Sequence, residues 1–279
     1  MSKPDLVISA VSGYGWDQLR PFVVSLAQSG FSGDAVLLAN NISTFAADCA
    51  RARDFIVIPF SKPHSPTFVI KDRFVPLLQF LESDRHYYRS VIWVDAGDQI
   101  FQRNPSEWLD QYAKPGEVIA ARECWRIKDE TQFNDPWVKA ALPNDYSWLR
   151  EEEVLCGGTV AGDAEAVYRA LRRVYDLVCE KPIWGSDQAF LNYVLRRDGF
   201  ETFVPSMQDG WTATCSAFDT AGFHSPIGRE AASLTDAVPV FDQSNQLVLT
   251  PDGKKPFVLV HQYNRDSDWL RIMHTKYRD

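Results

Sequence analysis

Three acids and one histidine in this chain occupy positions suited to chemistry. Asp95 and Asp98 follow the apolar run Val91-Ile92-Trp93-Val94, with only Ala96 and Gly97 between them. An apolar, largely β-branched run that ends in acids puts those acids at the carboxyl end of a buried strand. In open α/β sheets that edge receives ligands. Two carboxylates this close can share a hard divalent cation, which prefers oxygen ligands and can grip phosphate. The same Asp and Gly residues also suit an ordinary turn. His261 closes a second apolar run, Pro256-Phe257-Val258-Leu259-Val260. A histidine there can ligate a metal, act as a base or serve the structure. Together with Asp95 and Asp98 it would leave positions open on Mn²⁺ or Mg²⁺ for diphosphate oxygens. Arg265, just beyond it, is placed to neutralise phosphate charge.

Asp187 lies in Trp184-Gly185-Ser186-Asp187-Gln188, at the start of an expected helix. An acid in a first helical turn stabilises the macrodipole. A carboxylate exposed there can also act on a sugar hydroxyl if it comes within hydrogen-bond reach. Gly13-Tyr14-Gly15 separates the first strand from the first helix, where α/β sheets commonly take a nucleotide. It is not a dinucleotide fingerprint, because Gln18 stands where the third glycine belongs, and it has no Gly-Lys-Ser/Thr of a Walker A loop. Tight-turn chemistry explains these glycines equally well.

The elements that must carry these residues alternate. Leu6–Val11, Ala35–Ala39, Phe55–Pro59 and the run before Asp95 read as strands. Leu19, Phe22, Val23 and Leu26 mark one amphipathic helix between them, and Phe74, Leu77, Leu78 and Leu81 another. Strand and helix in alternation predict a parallel sheet covered on both faces. The second half is less regular. Glu117–Ala121 reads as a strand, and residues 122–153 as an aromatic-rich excursion facing the active site or acceptor. Val154–Gly162 reads as a strand broken by glycines. A long helix follows with Asp163 as N-cap, then a further helix capped by Ser186. Residues 205–255 are loop-rich, and a last strand runs from Pro256 to His261. The chain is expected to form one domain over 1–279, in which the family resemblance of its motifs implies a nucleotide-binding half (1–110), a donor-sugar and acceptor half (111–265) and a C-terminal tail (266–279).

Composition narrows the field. With 279 residues, 45% of them hydrophobic and 24% charged, the chain can bury a large core. A net charge of −8 argues against a nucleic-acid partner. Arg271, Lys276 and Arg278 form a small basic cluster that could touch anionic lipid, but a solvated tail is the stronger reading, since stable anchoring needs more charges or an added lipid. The five cysteines lack Cys-x-x-Cys spacing, which points away from zinc and towards small buried residues in a reducing compartment. With no signal-like segment and no run of apolar residues long enough to span a bilayer, a cytoplasmic location is expected, at most peripheral to the inner face of the membrane.

Taken in order, the motifs resemble those of a family. Asp95-Ala96-Gly97-Asp98 resembles a relaxed form of the Asp-x-Asp motif of GT-A fold glycosyltransferases. Cys156-Gly157-Gly158-Thr159-Val160 is similar to the later strand and loop bordering the donor sugar. Gly185-Ser186-Asp187-Gln188 is similar to the acidic motif facing the reacting sugar, and Val260-His261-Gln262-Tyr263 to the C-terminal histidine of the metal site. The resemblance covers roughly residues 5–265. It implies a single Rossmann-like α/β domain with a mostly parallel central sheet and helices on both faces. It also implies a metal-dependent, hexosyltransferase-like enzyme that moves a sugar from a nucleoside-diphosphate sugar, UDP-sugar before GDP-sugar, to a glycan or other hydroxyl acceptor. Synthesis of bacterial surface glycan or glycoconjugate is the implied setting. The implied ligands are Asp98 and His261, with Asp95 on the metal directly, through water, or on the ribose. Val11, Gly13, Asn40 and Arg73 are implied for the nucleotide, Gly157, Gly158 and Arg265 for the donor, and Asp187 for catalysis.

Three other readings share some of these features. A sugar-phosphate nucleotidyltransferase uses a similar sheet but calls for a longer, basic first loop, and no Arg or Lys occurs between Lys3 and Arg20. A metal-dependent phosphohydrolase calls for a nucleophilic Asp or a second metal cluster, against five histidines in all. A noncatalytic sugar-binding protein would need no metal-dependent turnover.

Overall fold

The computed structural model describes residues 3–61, 68–214, 239–265 and 267–278. Cys215 and the middle of the expected loop-rich stretch lie outside these residues.

Four parallel strands form one half of the main sheet: β1 (Leu6–Ser12), β2 (Asp34–Asn40), β3 (Phe55–Pro59) and β4 (Ser90–Val94). β5 (Gln99–Phe101) leaves that sheet. β6 (Glu117–Arg126), β7 (Glu153–Asp163) and β8 (Glu201–Phe203) complete it in the order β3-β2-β1-β4-β7-β6-β8. β7 runs antiparallel to both its neighbours, and β6 pairs with β8 in parallel. The sheet is therefore mostly parallel, with one reversed strand.

Alternation along the strands divides the core. Leu6, Ile8, Val91 and Trp93 face one layer with Leu77, Leu81, Val167, Val174 and Phe190. Those partners lie on α3 (Phe74–Asp84), α7 (Ala164–Glu180) and α8 (Ser186–Arg197). Val7, Val11, Ile92 and Val94 face the other layer with Leu19, Phe22, Ala46, Ala50 and Trp108. Those lie on α1 (Trp16–Gln28), α2 (Thr44–Arg51) and α4 (Pro105–Tyr112). Helices thus cover both faces. Each large apolar side chain taken out of water on these faces contributes about 1.5–3 kcal/mol, which is why the strands read as nearly continuous apolar runs.

The second half departs from the sequence reading in several places. β6 runs on to Arg126, and α5 (Asn134–Ala141) and the short α6 (Tyr146–Leu149) follow it, so the aromatic-rich excursion carries strand and helix rather than irregular chain alone. Gly157 and Gly158 do not break β7, which is continuous with a shifted register against β6. Asp163 caps α7 as expected, its side chain accepting from Glu165 and Ala166 N–H groups. Ser186 does not cap α8. Gly185 does so, with φ +76°, a backbone that a Cβ would strain.

A small second sheet holds β5, β9 (Thr212–Thr214) and β12 (Leu259–His261) in the order β5-β12-β9, and β10 (Val240–Asp242) and β11 (Leu247–Leu249) form a hairpin. β12 begins three residues later than the predicted strand and ends at His261 as expected. The expected tail is a helix, α9 (Ser267–Lys276), with Trp269, Met273 and Tyr277 buried against Ile100, Phe257 and Val260. Among the described residues no helix is long and apolar enough to cross a membrane.

Candidate functional site

Two strand registers assemble the site. β4 pairs antiparallel with β7, so Val94 meets Thr159 and the Asp95 N–H donates to the Gly158 carbonyl at 3.0 Å. β5 pairs antiparallel with β12, so Gln99 meets His261. The Gln262 N–H donates to the Asp98 carbonyl at 2.7 Å, with Gln262 itself at φ +61°. Asp95 and Asp98 end one chain segment, yet each is met by a different distant strand.

His261 Nε2 stands 3.4 Å from Asp98 Oδ1, and the imidazole is buried. That Asp98 oxygen is buried and has no hydrogen-bond partner. Burial opposes charge on His261, but Cys156 and Asp98 outweigh it and hold the imidazole pKa well above its ordinary value. Cys156 Sγ lies 3.3 Å from Nδ1 of the same ring. Burial pushes the Cys156 thiol up to about 11, which keeps it a thiol at neutral pH.

Gly158 forms the wall between Asp95 and His261. A Cβ there would stand 2.9 Å from Asp95 Oδ2 and from His261 Cε1, and 3.0 Å from His261 Nε2. The absence of a side chain at 158 is what lets these two groups approach one place. Among the described residues no three His, Cys, Asp or Glu side chains are arranged to hold an ion as they stand. Asp95 Oδ1 is engaged by Arg73. Asp98 and His261 nevertheless fit a divalent ion that displaces the imidazole proton: one supplies a buried oxygen with no hydrogen-bond partner, the other the Nε2 3.4 Å from it.

Arg73 is not a surface residue. It caps α3, is 7% exposed, and bridges two acids. Nη1 donates to Asp95 Oδ1 at 2.6 Å and Nη2 to Asp187 Oδ2 at 2.9 Å. Burial pulls the Arg73 pKa down, but Asp95 and Asp187 more than restore it. At Asp187 burial dominates and raises the carboxyl pKa, with Arg73 and the N–H groups of the helix start pulling the other way. The guanidinium lies 5.7 Å from the Phe74 and Trp93 ring centroids, so aromatic faces as well as acids hold it.

These groups line a cavity of about 570 Å³ with Gly157, Gly158, Asp98, Arg265 and Gln262. Arg265 stands exposed at its mouth. Val11, Gly13 and Asn40 do not line it. Gly13 and Asn40 meet at the carboxyl ends of β1 and β2, where the Gly13 N–H donates to the Asn40 carbonyl at 3.0 Å and Asn40 Nδ2 to Ser12 Oγ at 3.1 Å, while Val11 is buried opposite Ala39. Tyr14 joins the two places, because a Cβ at Gly97 would fall 2.7 Å from its hydroxyl. Burial, then Asp95 and Asp98, raise the Tyr14 pKa.

Sequence reasoning passed over two further residues. Gln188 Oε1 accepts from the Gly157 N–H at 3.0 Å, and its Nε2 donates to Asn134 Oδ1 at 2.7 Å and Glu123 Oε1 at 3.3 Å. Its place beside Asp187 was the available signal. Glu123 is buried, and burial raises its pKa. Nothing in its neighbourhood in the sequence marks it. Of the rings in the aromatic-rich excursion, Trp125, Phe133 and Trp137 line the cavity. Trp211 does not: it is buried with its ring 4.5 Å from Trp108. Tyr146 bonds Asp135, and Trp148 packs on Tyr193. The cysteines are mixed, with Cys156 buried, Cys49 half-buried and Cys179 exposed.

No protein-family model matches the sequence, and no curated protein matches it. Solved structures do. The galactosyltransferase LgtC, in complex with donor and acceptor sugar analogs, matches with a TM-score of 0.60 at 11% identity, over 98% of this chain and 95% of LgtC. The fold is that of the GT-A glycosyltransferases. An active-site mutant of LgtC matches with a TM-score of 0.57 over the same shares of both chains. The apo bifunctional glycosyltransferase WbbM matches at 0.59 and 12% identity over 94% of this chain, which spans 46% of WbbM.

Proposed function

We propose that the chain is a glycosyltransferase that moves a sugar from a nucleoside-diphosphate sugar to a hydroxyl acceptor. The observation that carries this reading is the convergence of Asp98, His261, Arg73 and Asp187 on one cavity beside the carboxyl edge of the sheet. Breaking a glycosidic bond to diphosphate leaves negative charge on the departing oxygens, and positive groups placed in advance lower that barrier. Arg265 at the cavity mouth is positioned to meet the diphosphate. Asp98 and His261 would hold a divalent ion, with Asp95 reaching it directly or through water. Such an ion, when bound, supplies Lewis acidity to the leaving diphosphate.

Asp187 meets the donor sugar in this reading. One of its oxygens is held by Arg73 and the carboxylate is fixed at a helix start, so it faces the reacting centre without rotational freedom. There it orients the sugar or stabilises the positive charge that develops at the anomeric carbon, and in an inverting reaction it would take the acceptor proton. Val11, Gly13 and Asn40, with Tyr14 across Gly97, take the base and ribose. UDP-sugar is the favoured donor. The setting we assign is the cytoplasm, in synthesis of a bacterial surface glycan or glycoconjugate.

A panel of UDP- and GDP-sugars incubated with the protein and Mn²⁺ tests this. The expected outcome is release of free nucleoside diphosphate that stops on chelation and in Asp98→Asn. Release unchanged in Asp98→Asn would remove the metal assignment, and no turnover of any donor would remove the enzyme reading.

A further inference from the structure

Seven large hydrophobic side chains among the described residues are exposed, and two of them, Phe133 at 42% and Trp184 at 59%, line the same cavity as Asp187. Both are held outward by pinned turns. The Glu130 carboxylate accepts from the N–H groups of Gln132, Phe133 and Asn134, which fixes the turn that displays Phe133. Trp184 precedes Gly185, where a Cβ would fall 2.0 Å from Trp137 Cδ2, so the chain lies flat against that indole as it turns into α8. Trp137 in turn meets Phe133 with ring centroids 5.4 Å apart. Phe133, Trp137 and Trp184 thus line one wall region of the cavity, with Trp184 three residues from Asp187.

An exposed indole is a poor choice for a surface without a partner. The chemistry of this surface is specific. A pyranose ring has an apolar face of C–H groups, and the negative face of an aromatic ring attracts the hydrogens of such a face. The same ring carries hydroxyls round its rim, and Gln132, exposed on the cavity wall beside Phe133, offers an amide to them. Aromatic body and polar rim together match a sugar better than they match an acyl chain, which has no use for the amide.

We infer that Trp184 and Phe133 form the acceptor platform and that the acceptor is a carbohydrate, bound through a pyranose face stacked on Trp184. This inference rests on the glycosyltransferase reading and names its acceptor class.

Saturation-transfer NMR tests it with lactose, maltose and cellobiose as probes, sorbitol as an open-chain control and octyl β-glucoside as a lipid-like control, all in the presence of UDP and Mn²⁺. The expected result is transfer to pyranose ring protons of at least one disaccharide. Its dissociation constant rises at least tenfold in Trp184→Ala, recovers largely in Trp184→Phe and stays unchanged in Phe45→Ala, a change at an exposed ring not among those lining the cavity. Thermal melts of each variant confirm that it is folded. Equal binding in folded Trp184→Ala overturns the platform. So does transfer to sorbitol equal to that of the disaccharides, or transfer only to the octyl chain. Binding of UDP by the wild type is read in parallel: a protein that binds UDP and no disaccharide loses the platform alone, whereas one that binds neither loses the reading beneath it.

Discussion

Gly158→Ala isolates the geometry of the site from the chemistry of its ligands, because it changes neither Asp95 nor His261. The new methyl carbon would lie 2.9 Å from Asp95 Oδ2 and His261 Cε1, and 3.0 Å from His261 Nε2. Ordinary contact begins near 3.4 Å, so each group must retreat by roughly 0.5 Å, and neither moves freely. His261 is buried in β12 with Cys156 and Asp98 on either side, and Asp95 is tied to Arg73. A displacement of about 1 Å at a reacting centre costs on the order of 100-fold. Half of that, imposed on two groups at once, predicts a loss of roughly 10- to 100-fold in affinity for Mn²⁺ in the presence of UDP. The fold should survive. Alanine in a strand is better than glycine by about 0.5–1 kcal/mol, and overpacking costs about 1–3 kcal/mol, so the net loss stays at about 2.5 kcal/mol or less. Calorimetric titration with Mn²⁺ and UDP reads the first quantity, and urea denaturation the second. A folded Gly158→Ala protein that binds Mn²⁺ with wild-type affinity would refute the idea that Asp95 and His261 share one ion site across this glycine.

Two further changes probe what holds the site. Arg73→Ala leaves the Asp187 carboxylate buried without its cation, and should cost roughly 2–4 kcal/mol at neutral pH, discounted because Asp95 is partly solvated. Asp187 already titrates above its ordinary value, and losing Arg73 raises it further. A carboxyl raised on folding binds more protons folded than unfolded. The loss should therefore grow as pH rises from about 4 through the folded pKa and shrink in acid; a deficit independent of pH in urea melts would contradict this. Gly162→Ala should destabilise without touching the site. Its φ is +127° and a Cβ would fall 2.2 Å from the Glu117 carbonyl oxygen, which predicts a loss of roughly 2–4 kcal/mol. A stable Gly162→Ala protein would show that the β6–β7 pairing is looser than described.

The legible parts of this chain were those set by local pattern. The first four strands and the stripes of α1 and α3 carry their burial in residue order, so Leu19, Phe22, Leu77 and Leu81 fall in the core as their spacing predicts. The acids of the site were legible because each closes or opens an element. What could not be read was how distant elements meet. Arg73 lies on a helix with no motif around it, and its bridge to Asp95 and Asp187 exists only once α3, β4 and α8 are packed. Glu123 and Gln188 belong to a hydrogen-bond network that spans β6, α5 and α8. β7 looked broken because glycine lowers strand propensity, yet pairing on both sides outweighs that cost. The basic C-terminus read as a solvated tail because charges surround it, while Trp269, Met273 and Tyr277 bury a single stripe of it.

The most direct test of the proposal is a crystal structure of the protein grown with UDP and Mn²⁺, with the metal located by its anomalous scattering. The proposal predicts one ion at about 2.0–2.3 Å from an Asp98 carboxylate oxygen and from His261 Nε2, bridging to the diphosphate beside Gly158. A diphosphate bound without metal, or an ion held away from Asp98 and His261, would contradict it.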